Sequence, residues 1–199
     1  MRLRLAELEE IRRNPARLRQ LSGAGGWSGG WSYRRALHFA SYRYHRNGED
    51  LRGALVYLQD LYSRLFKRNA ALSGLESQLA AYAGSYQGRG QAAIDVQITA
   101  RIEVTKNLEL SGEVARLDLG EGGGYDLWLF GGAPYEWRSE LRMPLLQAYF
   151  AIKMGVLPQQ VRVGFYFFDS DEYDSECFNP ALLAAARAEV AALFSEVDS

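Results

Sequence analysis

Three consecutive segments with the pattern of β-strands lie between residues 92 and 130. They read AAIDVQITARIEV (92–104), LELSGEVARLDL (108–119) and GYDLWLF (124–130). Apolar and polar residues alternate in the first two, and the sequence GEGG (120–123) separates the last two. We therefore expect three strands that follow one another directly along the chain.

The sequence after these strands predicts one further strand between two helices. A helical pattern covers residues 137–154, and a short apolar run typical of a buried strand, VRVGFYFF, covers residues 161–168. An acidic loop is expected at residues 169–179. The alanine-rich residues 180–197 predict a C-terminal helix with Pro180 near its start, where a helix tolerates the missing N–H donor.

The sequence before the strands is predicted to be mainly helical. A first helix over residues 4–20 is interrupted at Asn14-Pro15, because proline lacks an N–H donor and restricts the residue before it. The Gly/Ser-rich residues 22–32 predict a flexible loop. Helical patterns then dominate residues 33–86, so the strands follow a long helical extension.

The length and composition indicate a single globular domain. The chain has 199 residues, of which 48% are hydrophobic and 24% are charged. We expect one α/β domain over residues 1–199. It consists of a basic helical part (1–90) and an α/β core (91–199), whose three sequential strands, helix and strand are followed by the C-terminal helix.

Several classes of protein are excluded by simple counts. No run of 18 apolar residues is present, so we expect no transmembrane helix and no membrane partner. The segment MRLRLAELEE lacks the apolar stretch of a secretory signal, which favours a cytoplasmic protein. One cysteine and two histidines exclude a disulfide framework and a Cys- or His-rich metal site.

The charges are distributed unevenly along the chain. Residues 1–70 contain 14 Lys/Arg and 6 Asp/Glu, a balance of +8, whereas residues 71–199 contain 9 and 18, a balance of −9. A basic part of this kind favours an anionic partner, with nucleic acid as the first candidate. The alternative is that the two parts neutralise each other across an internal interface.

Arginines alternate with aromatic residues in the basic part. A cation beside a ring that can stack is typical of binding to single-stranded nucleic acid or to a phosphate backbone. The alternative is an amphipathic helix with core aromatics and solvated arginines. The arginines that we predict to contact nucleic acid in this part are Arg12, Arg13, Arg34, Arg35, Arg43 and Arg46.

The core resembles the RecB-like branch of the PD-(D/E)XK nuclease superfamily. The resemblance rests on the strand GEVARLD (112–118), the glycine turn (121–124), the strand YDLWLFG (125–131) and the helix start LRMPLL (141–146). More faintly, Asn14-Pro15 resembles the family's helix break. The resemblance implies an α/β fold with a central mixed sheet and a context of DNA repair, processing or defence. It also implies a helicase or another protein as a partner.

The catalytic positions of that family are not retained. The resemblance places the first metal-binding Asp at Ala115, the second carboxylate at Leu129, the Lys at Gly131 and a supporting Gln at Arg142. Paired carboxylates hold a divalent cation that activates water and stabilises the developing phosphate charge. Ala, Leu and Gly supply none of these groups, so the resemblance implies a site without nuclease activity.

A relocated metal site is the alternative. Alternation along a strand predicts that Glu113, Ala115 and Leu117 share one face, so Glu113 would line the vacated cleft. Glu140 and His38 are further candidate ligands, and such a site would take Mg²⁺ or Mn²⁺. Otherwise no cofactor is expected.

The leading hypothesis from the sequence is a catalytically inactive RecB-like module that binds DNA as an accessory subunit. Arg142 would place a cation at the mouth of the old cleft, where it contacts a phosphate or pairs with Glu113. The alternatives are a metal-dependent nuclease with a relocated site, and a protein-interaction scaffold without nucleic acid. In the scaffold, Trp27 and Trp31 would anchor a partner.

Overall fold

A computed structural model describes residues 2–17, 32–66, 71–106 and 108–195 of the chain. Trp27, Trp31 and most of the expected Gly/Ser-rich loop lie outside these residues. The strands are β1 (Arg2–Arg4), β2 (Ala92–Thr105), β3 (Leu108–Leu119), β4 (Tyr125–Gly131), β5 (Val161–Phe167) and β6 (Glu172–Glu176). The α-helices of the described ranges are α1 (Leu8–Arg13), α2 (Tyr33–Arg46), α3 (Leu51–Leu65), α4 (Leu72–Arg89), α5 (Arg142–Met154) and α6 (Pro180–Ser195).

Local sequence signals set the ends of several helices. The Oγ of Ser32 accepts a hydrogen bond from the backbone N–H of Arg35 and begins α2. Asp50 begins α3 in the same way, since its carboxylate accepts from the N–H of Gly53 at 3.0 Å. Gly90 ends α4 with φ at +62°, a conformation that glycine adopts without steric cost.

The strands form one mixed sheet, in which β3 pairs with three other strands. β2 pairs antiparallel with β3 from Ala92↔Leu119 to Thr105↔Leu108. The other edge of β3 is shared, because β1 pairs parallel with one end and β4 pairs antiparallel with the other. β5 continues the sheet parallel to β4, and β6 closes it antiparallel to β5. The α/β class and the three sequential strands β2 to β4 are therefore confirmed.

Helices cover both faces of the sheet. Helices α1, α5 and α6 pack on one face, where Val163 and Phe165 of β5 join their core. Helices α2, α3 and α4 pack on the other, where Tyr166 of β5 joins a second core. This alternation makes β5 buried on both faces, as its continuous apolar run predicts. In the described ranges, no helix is both long and apolar enough to cross a bilayer.

Four local predictions are wrong. Residues 2–4 form β1 rather than part of a helical extension, because three residues are too few to show strand periodicity. The acidic residues 172–176 form β6, since pairing with β5 outweighs their low strand propensity. Helix α5 begins at Arg142, five residues later than expected. Ala115 and Leu117 were expected on the same face of β3, but they lie on opposite faces. Leu117 joins the core under α5 and α6, whereas Ala115 contacts Tyr42 of α2.

The pairing of β5 with β6 depends on a glycine. A Cβ atom at Gly164 would lie 2.6 Å from the Cα of Ser175 and closer still to the carbonyl oxygen of Asp174. We expect Gly164→Ala to lower the free energy of unfolding by about 3 kcal/mol, because backbone atoms have to move. Urea denaturation measures this loss. The control is Gly84→Ala. Gly84 is an exposed residue of α4, and a Cβ atom there would have no neighbour within 4 Å, so we expect this substitution to stabilise the protein slightly. Equal stability of the two variants would contradict the prediction.

Candidate nucleic-acid interface

The sheet contains a gap on the shared edge of β3. The pairing with β1 ends at Arg4↔Ser111, and the pairing with β4 begins only at Arg116↔Trp128. Residues 112–115 therefore have no partner strand on this side. The side chain of Leu5, just after β1, occupies the space that a side chain at Gly112 would fill. A cleft opens at this gap, with α2 along one side.

The cleft consists of two cavities that share His38, Tyr42 and Glu113. The β1-side cavity has a volume of about 430 Å³. The β4-side cavity has a volume of about 280 Å³. The β1-side cavity is also lined by Arg4, Arg35, Phe39, Thr99, Ser111 and Gly112. The β4-side cavity is also lined by Ala115, Leu129, Phe130, Gly131, Tyr135, Arg142 and Phe165.

The positions singled out by the sequence converge in the β4-side cavity. Ala115 comes from β3, Leu129 and Gly131 from β4, and Arg142 from the start of α5, and all four line its wall. They meet because β3 and β4 separate at the gap while α5 covers the end of β4. His38 of α2 closes the cavity from the opposite layer.

The candidate ligands of a relocated metal site are held by other groups. Glu113 accepts a hydrogen bond from the hydroxyl of Tyr42 at 2.8 Å. The carboxylate of Glu140 accepts from the Nε of Arg142 at 2.5 Å. Among residues 2–17, 32–66, 71–106 and 108–195, no three His, Cys, Asp or Glu side chains are grouped so that they hold a metal ion. Glu113, Glu140 and His38 therefore form no metal-binding group there.

His38 is a packed aromatic residue. Its ring lies 5.2 Å from that of Phe130, edge-on, and 5.7 Å from that of Phe168, stacked. Burial, together with the smaller effect of the nearby positive charges of Arg34 and Arg35, lowers the pKa of His38 to about 4. The imidazole is therefore neutral at pH 7 and adds no charge to the cleft.

The stability of the protein is expected to depend on the protonation of His38. Between its folded pKa of about 4 and the unfolded value near 6.5, only the unfolded chain binds the proton. His38 therefore does not lower the free energy of unfolding above pH 6.5. As the pH falls through this window, the residue lowers it by about 1.4 kcal/mol per pH unit.

The test compares urea denaturation of the wild type and of His38→Phe from pH 7 to pH 4.5. The variant should decline less steeply, because carboxylates titrate in both proteins and their contribution cancels in the difference. Parallel curves for the two proteins would contradict the assigned role of His38.

Arg142 makes a different ion pair from the one expected. The sequence suggested Glu113 as its partner, but the guanidinium binds Glu140 and donates from Nη2 to the hydroxyl of Tyr135 at 2.9 Å. It also lies 5.5 Å from the ring of Phe165. Glu140 is preferred because it lies two residues away, just before the same helix, whereas Glu113 is held by Tyr42.

The other predicted arginines are divided between the cleft and the rest of the surface. Arg35 lines the β1-side cavity. Arg46 lies at the margin of the cleft, where it donates to Gln97, whose amide is 3.5 Å from Glu113. Arg34 fills the space beside Gly132 and pairs with Asp169.

Arg12, Arg13 and Arg43 do not line the cleft. Arg12 belongs to α1 on the opposite face of the sheet and pairs with Glu189 of α6 at 2.6 Å. Arg13 is an exposed residue at the end of the same helix. Arg43 lies over the ring of Tyr57, with its Cζ 5.9 Å from the ring centroid. The pairs Arg12–Glu189 and Arg34–Asp169 show that the basic and acidic parts of the chain partly neutralise each other.

Two functional candidates were missed from the sequence. Arg4 lines the β1-side cavity because β1 inserts beside β3, and no sequence signal marks so short a strand. Tyr135 lies in the connection before α5, and 45% of its surface is exposed. The only sequence signal for Tyr135 was its position shortly before a helix start that contains a proline. The packing of its ring on Phe165, at 5.6 Å between centroids, brings it to the cavity.

Comparisons with known proteins add little to this description. No protein-family model matches the sequence, and no match is found among curated proteins. Among solved structures, the chain is similar to one described as "Crystal structure of SSO0001", with 9% sequence identity. The alignment covers 92% of this chain and 83% of that chain, with a TM-score of 0.37. A similarity at this level leaves the function to be argued from the site.

Proposed function

We propose that this chain binds nucleic acid through the cleft and does not hydrolyse it. The observation that carries the proposal is the lining of the cleft beside the gap in the sheet. Arginines line it at Arg4, Arg35 and Arg142, and Glu113 is the one carboxylate among the lining residues. This arrangement suits an anionic chain rather than a metal ion.

Hydrolysis of a phosphodiester by a metal ion requires more than the cleft offers. Two or more carboxylates normally hold the cation while a further group orients water. At the corresponding positions the wall carries Ala115 and Leu129, which are buried side chains without oxygen. Guanidinium groups bind phosphate oxygens by charge-assisted hydrogen bonds, and this binding needs no metal.

The biological setting of this binding is proposed from the sequence resemblance. A RecB-like module that has lost its catalytic groups would serve as an accessory subunit in DNA repair, processing or defence. A helicase or another protein of the same assembly would be its partner. The cleft would then hold DNA for an active subunit.

A fluorescence-anisotropy titration with labelled single- and double-stranded DNA tests the proposal. We expect binding at about 50 mM salt that weakens strongly at about 200 mM, because phosphate contacts release counterions. Mg²⁺ and Mn²⁺ are included, and the DNA is then run on a denaturing gel, where it should be intact.

Two other outcomes would replace the proposal. Metal-dependent cleavage that disappears in Glu113→Ala would favour a nuclease with a relocated site. The absence of binding to any DNA or RNA at low salt would leave the protein-interaction scaffold. These outcomes are distinct because the first requires bound and shortened DNA and the second requires neither.

A further inference from the structure

The β4-side cavity has the size and wall of a site for a flat aromatic ligand. Its volume of about 280 Å³ is too small for a nucleotide chain but suits a single ring system. Seven of its ten lining residues are apolar or aromatic. The aromatic residues among its lining are His38, Tyr42, Phe130, Tyr135 and Phe165. Rings of this kind stack on nucleic-acid bases with little regard to sequence.

Two charged groups of opposite sign also line this cavity. Glu113 accepts hydrogen bonds from Tyr42 at 2.8 Å and, at the longer distance of 3.5 Å, from the amide of Gln97, and a carboxylate has further lone pairs for other donors. Arg142 uses Nε for Glu140 and Nη2 for Tyr135, and a guanidinium carries five N–H groups. The cavity therefore presents an acceptor on its β3 wall and a donor at the start of α5.

We propose that the β4-side cavity binds one unpaired guanine of a single strand. The carboxylate of Glu113 would accept hydrogen bonds from the N1–H and N2–H groups of the base. Arg142 would donate to its O6 or N7 atoms, which are acceptors. The proposal rests on the proposed binding of nucleic acid in the cleft, and it names the base that the cleft selects.

Guanine fits these two groups better than the other bases. A carboxylate accepts only, and guanine has two adjacent N–H donors on its Watson–Crick edge. Adenine and cytosine have one amino group there beside a ring-nitrogen acceptor, and thymine has one N–H between two carbonyl oxygens. Each would turn an acceptor toward Glu113, and an unpaired acceptor beside a carboxylate is unfavourable.

The rest of the cleft suits the strand on either side of the base. Glu113 belongs to both cavities, so the base edge would lie at their junction. Arg4 and Arg35 line the neighbouring β1-side cavity, where the adjoining phosphates would lie. A base in a single strand leaves its stack at lower cost than a paired base, which favours single-stranded DNA or RNA.

Tyr135 is placed to stack on the bound base at the mouth of the cavity. The residue is 45% exposed, and its ring packs on Phe165 at 5.6 Å between ring centroids. Its hydroxyl accepts a hydrogen bond from Arg142, which holds both side chains in place. We expect Tyr135→Ala to weaken binding of a guanine-containing strand roughly tenfold, the loss that base stacking on one ring typically supports.

The test uses fluorescein-labelled oligothymidine in which one central base is guanine, adenine, cytosine or hypoxanthine. The guanine strand should bind roughly tenfold more tightly than the adenine strand, as one bidentate base contact supports. The hypoxanthine strand lacks the N2 amino group and should bind with intermediate affinity. Anisotropy at low salt gives each dissociation constant.

Variants of one carboxylate separate the base contact from general binding. Glu113→Gln keeps an oxygen that accepts from Tyr42 but replaces the second acceptor by a donor. We expect this variant to bind the guanine and adenine strands equally, because the two hydrogen bonds to the guanine edge are lost. The matched control is Glu103→Gln, an exposed carboxylate on β2 outside both cavities, which should keep the preference for guanine.

Each alternative result has a distinct meaning. Equal binding of all strands by the wild type would overturn the guanine site and leave nucleic-acid binding intact, whereas no binding of any strand would overturn both. A guanine preference that survives in Glu113→Gln would overturn the assigned cavity. Free GMP is added as a competitor. If GMP binds as tightly as the guanine strand, the ligand of the cavity is a free nucleotide, and the proposal of a single strand is overturned.

Discussion

Replacement of Arg116 by methionine should lower the free energy of unfolding by about 3–5 kcal/mol. Arg116 and Asp118 lie on the same face of β3, and both side chains are fully buried. The guanidinium donates to the carboxylate twice, from Nε at 2.7 Å and from Nη2 at 2.8 Å. The substitution leaves Asp118 buried without its partner, and an uncompensated buried charge is costly.

The surroundings of the pair are largely aromatic, and Asp126, opposite Asp118 on β4, binds the two further arginines Arg89 and Arg162. Arg116 also donates from Nη1 to the hydroxyls of Tyr82 at 2.6 Å and Tyr173 at 3.2 Å. Its Cζ lies 4.6 Å from the ring centroid of Tyr86. Tyr82 in turn lies 2.6 Å from the Nε2 of His45, so the network joins β3 to α2 and α4. Loss of the arginine therefore disturbs the contact between the sheet and these helices.

The loss should depend on pH in a defined direction. Burial raises the pKa of Asp118, and the charge of Arg116 is the main influence that lowers it. Without Arg116 the pKa of this carboxyl rises further, above its unfolded value near 3.9. The variant then loses stability as the pH rises through this interval, so the penalty should be smaller at pH 5 than at pH 8.

Urea denaturation of three variants at both pH values measures these effects. The double variant Arg116→Met, Asp118→Leu removes both charges and should be more stable than Arg116→Met alone, because no buried ion is left unpaired. The control Arg43→Met removes an exposed arginine and should change the stability by less than about 1 kcal/mol. A double variant as unstable as the single one would show that the tyrosine contacts, and not the ion pair, determine the loss.

The second large effect concerns binding in the cleft. The double variant Arg35→Ala, Arg142→Gln should bind DNA about 100-fold more weakly at low salt, since one charge-assisted hydrogen bond supports about tenfold. The slope of log K against log salt should fall by about 1, for the phosphate contact of Arg35, because the contact of Arg142 is with the base. Anisotropy titrations over a range of salt concentrations give both quantities.

A matched control tests whether position or net charge is responsible. The control substitutes two arginines outside the cleft. One of them is Arg12, which the sequence suggested as a contact with nucleic acid but which pairs with Glu189 on the opposite face of the sheet. The double variant Arg12→Ala, Arg187→Gln removes the same number of charges, and Arg187 is an exposed residue of α6. It should keep affinity close to that of the wild type. Equal losses in both double variants would show that overall charge, not the cleft, governs binding.

The two variants of the cleft differ in their effect on the fold. Arg35→Ala keeps the backbone N–H that Ser32 accepts from, so the start of α2 is retained. Arg142→Gln leaves Glu140 without its ion-pair partner, and because both side chains are mostly buried we expect a loss of stability from this substitution. A melting curve for each variant distinguishes weaker binding from loss of structure.

Much of the secondary structure could be predicted from local patterns. The strand periods of residues 92–104 and 108–119 predicted β2 and β3, and the glycine turn predicted the start of β4. The helix break at Asn14-Pro15 and the start of α6 at Pro180 were predicted by proline chemistry. These features depend on neighbours along the chain, and such neighbours are visible in the sequence.

The candidate site could be predicted only in part. The absence of carboxylates at Ala115 and Leu129 was evident, because the residue type alone excludes a metal ligand. The partners of the remaining charges were not evident. Glu113 was expected to face Arg142, yet it binds Tyr42, a residue 71 positions away in the chain. Side-chain partners of this kind depend on distances that only the folded chain sets.

The sequence by itself determined the order of β2, β3 and β4, the helix break at Asn14-Pro15, the start of α6, and the absence of acidic or lysine side chains at positions 115, 129 and 131. Tertiary structure decided that β1 takes one end of a shared edge, and so left the gap between it and β4. It also brought Arg4 to the cleft and buried Arg116 against Asp118. The physical reason is that periodicity and turn chemistry act over a few residues, whereas strand pairing and buried ion pairs join residues far apart in the chain.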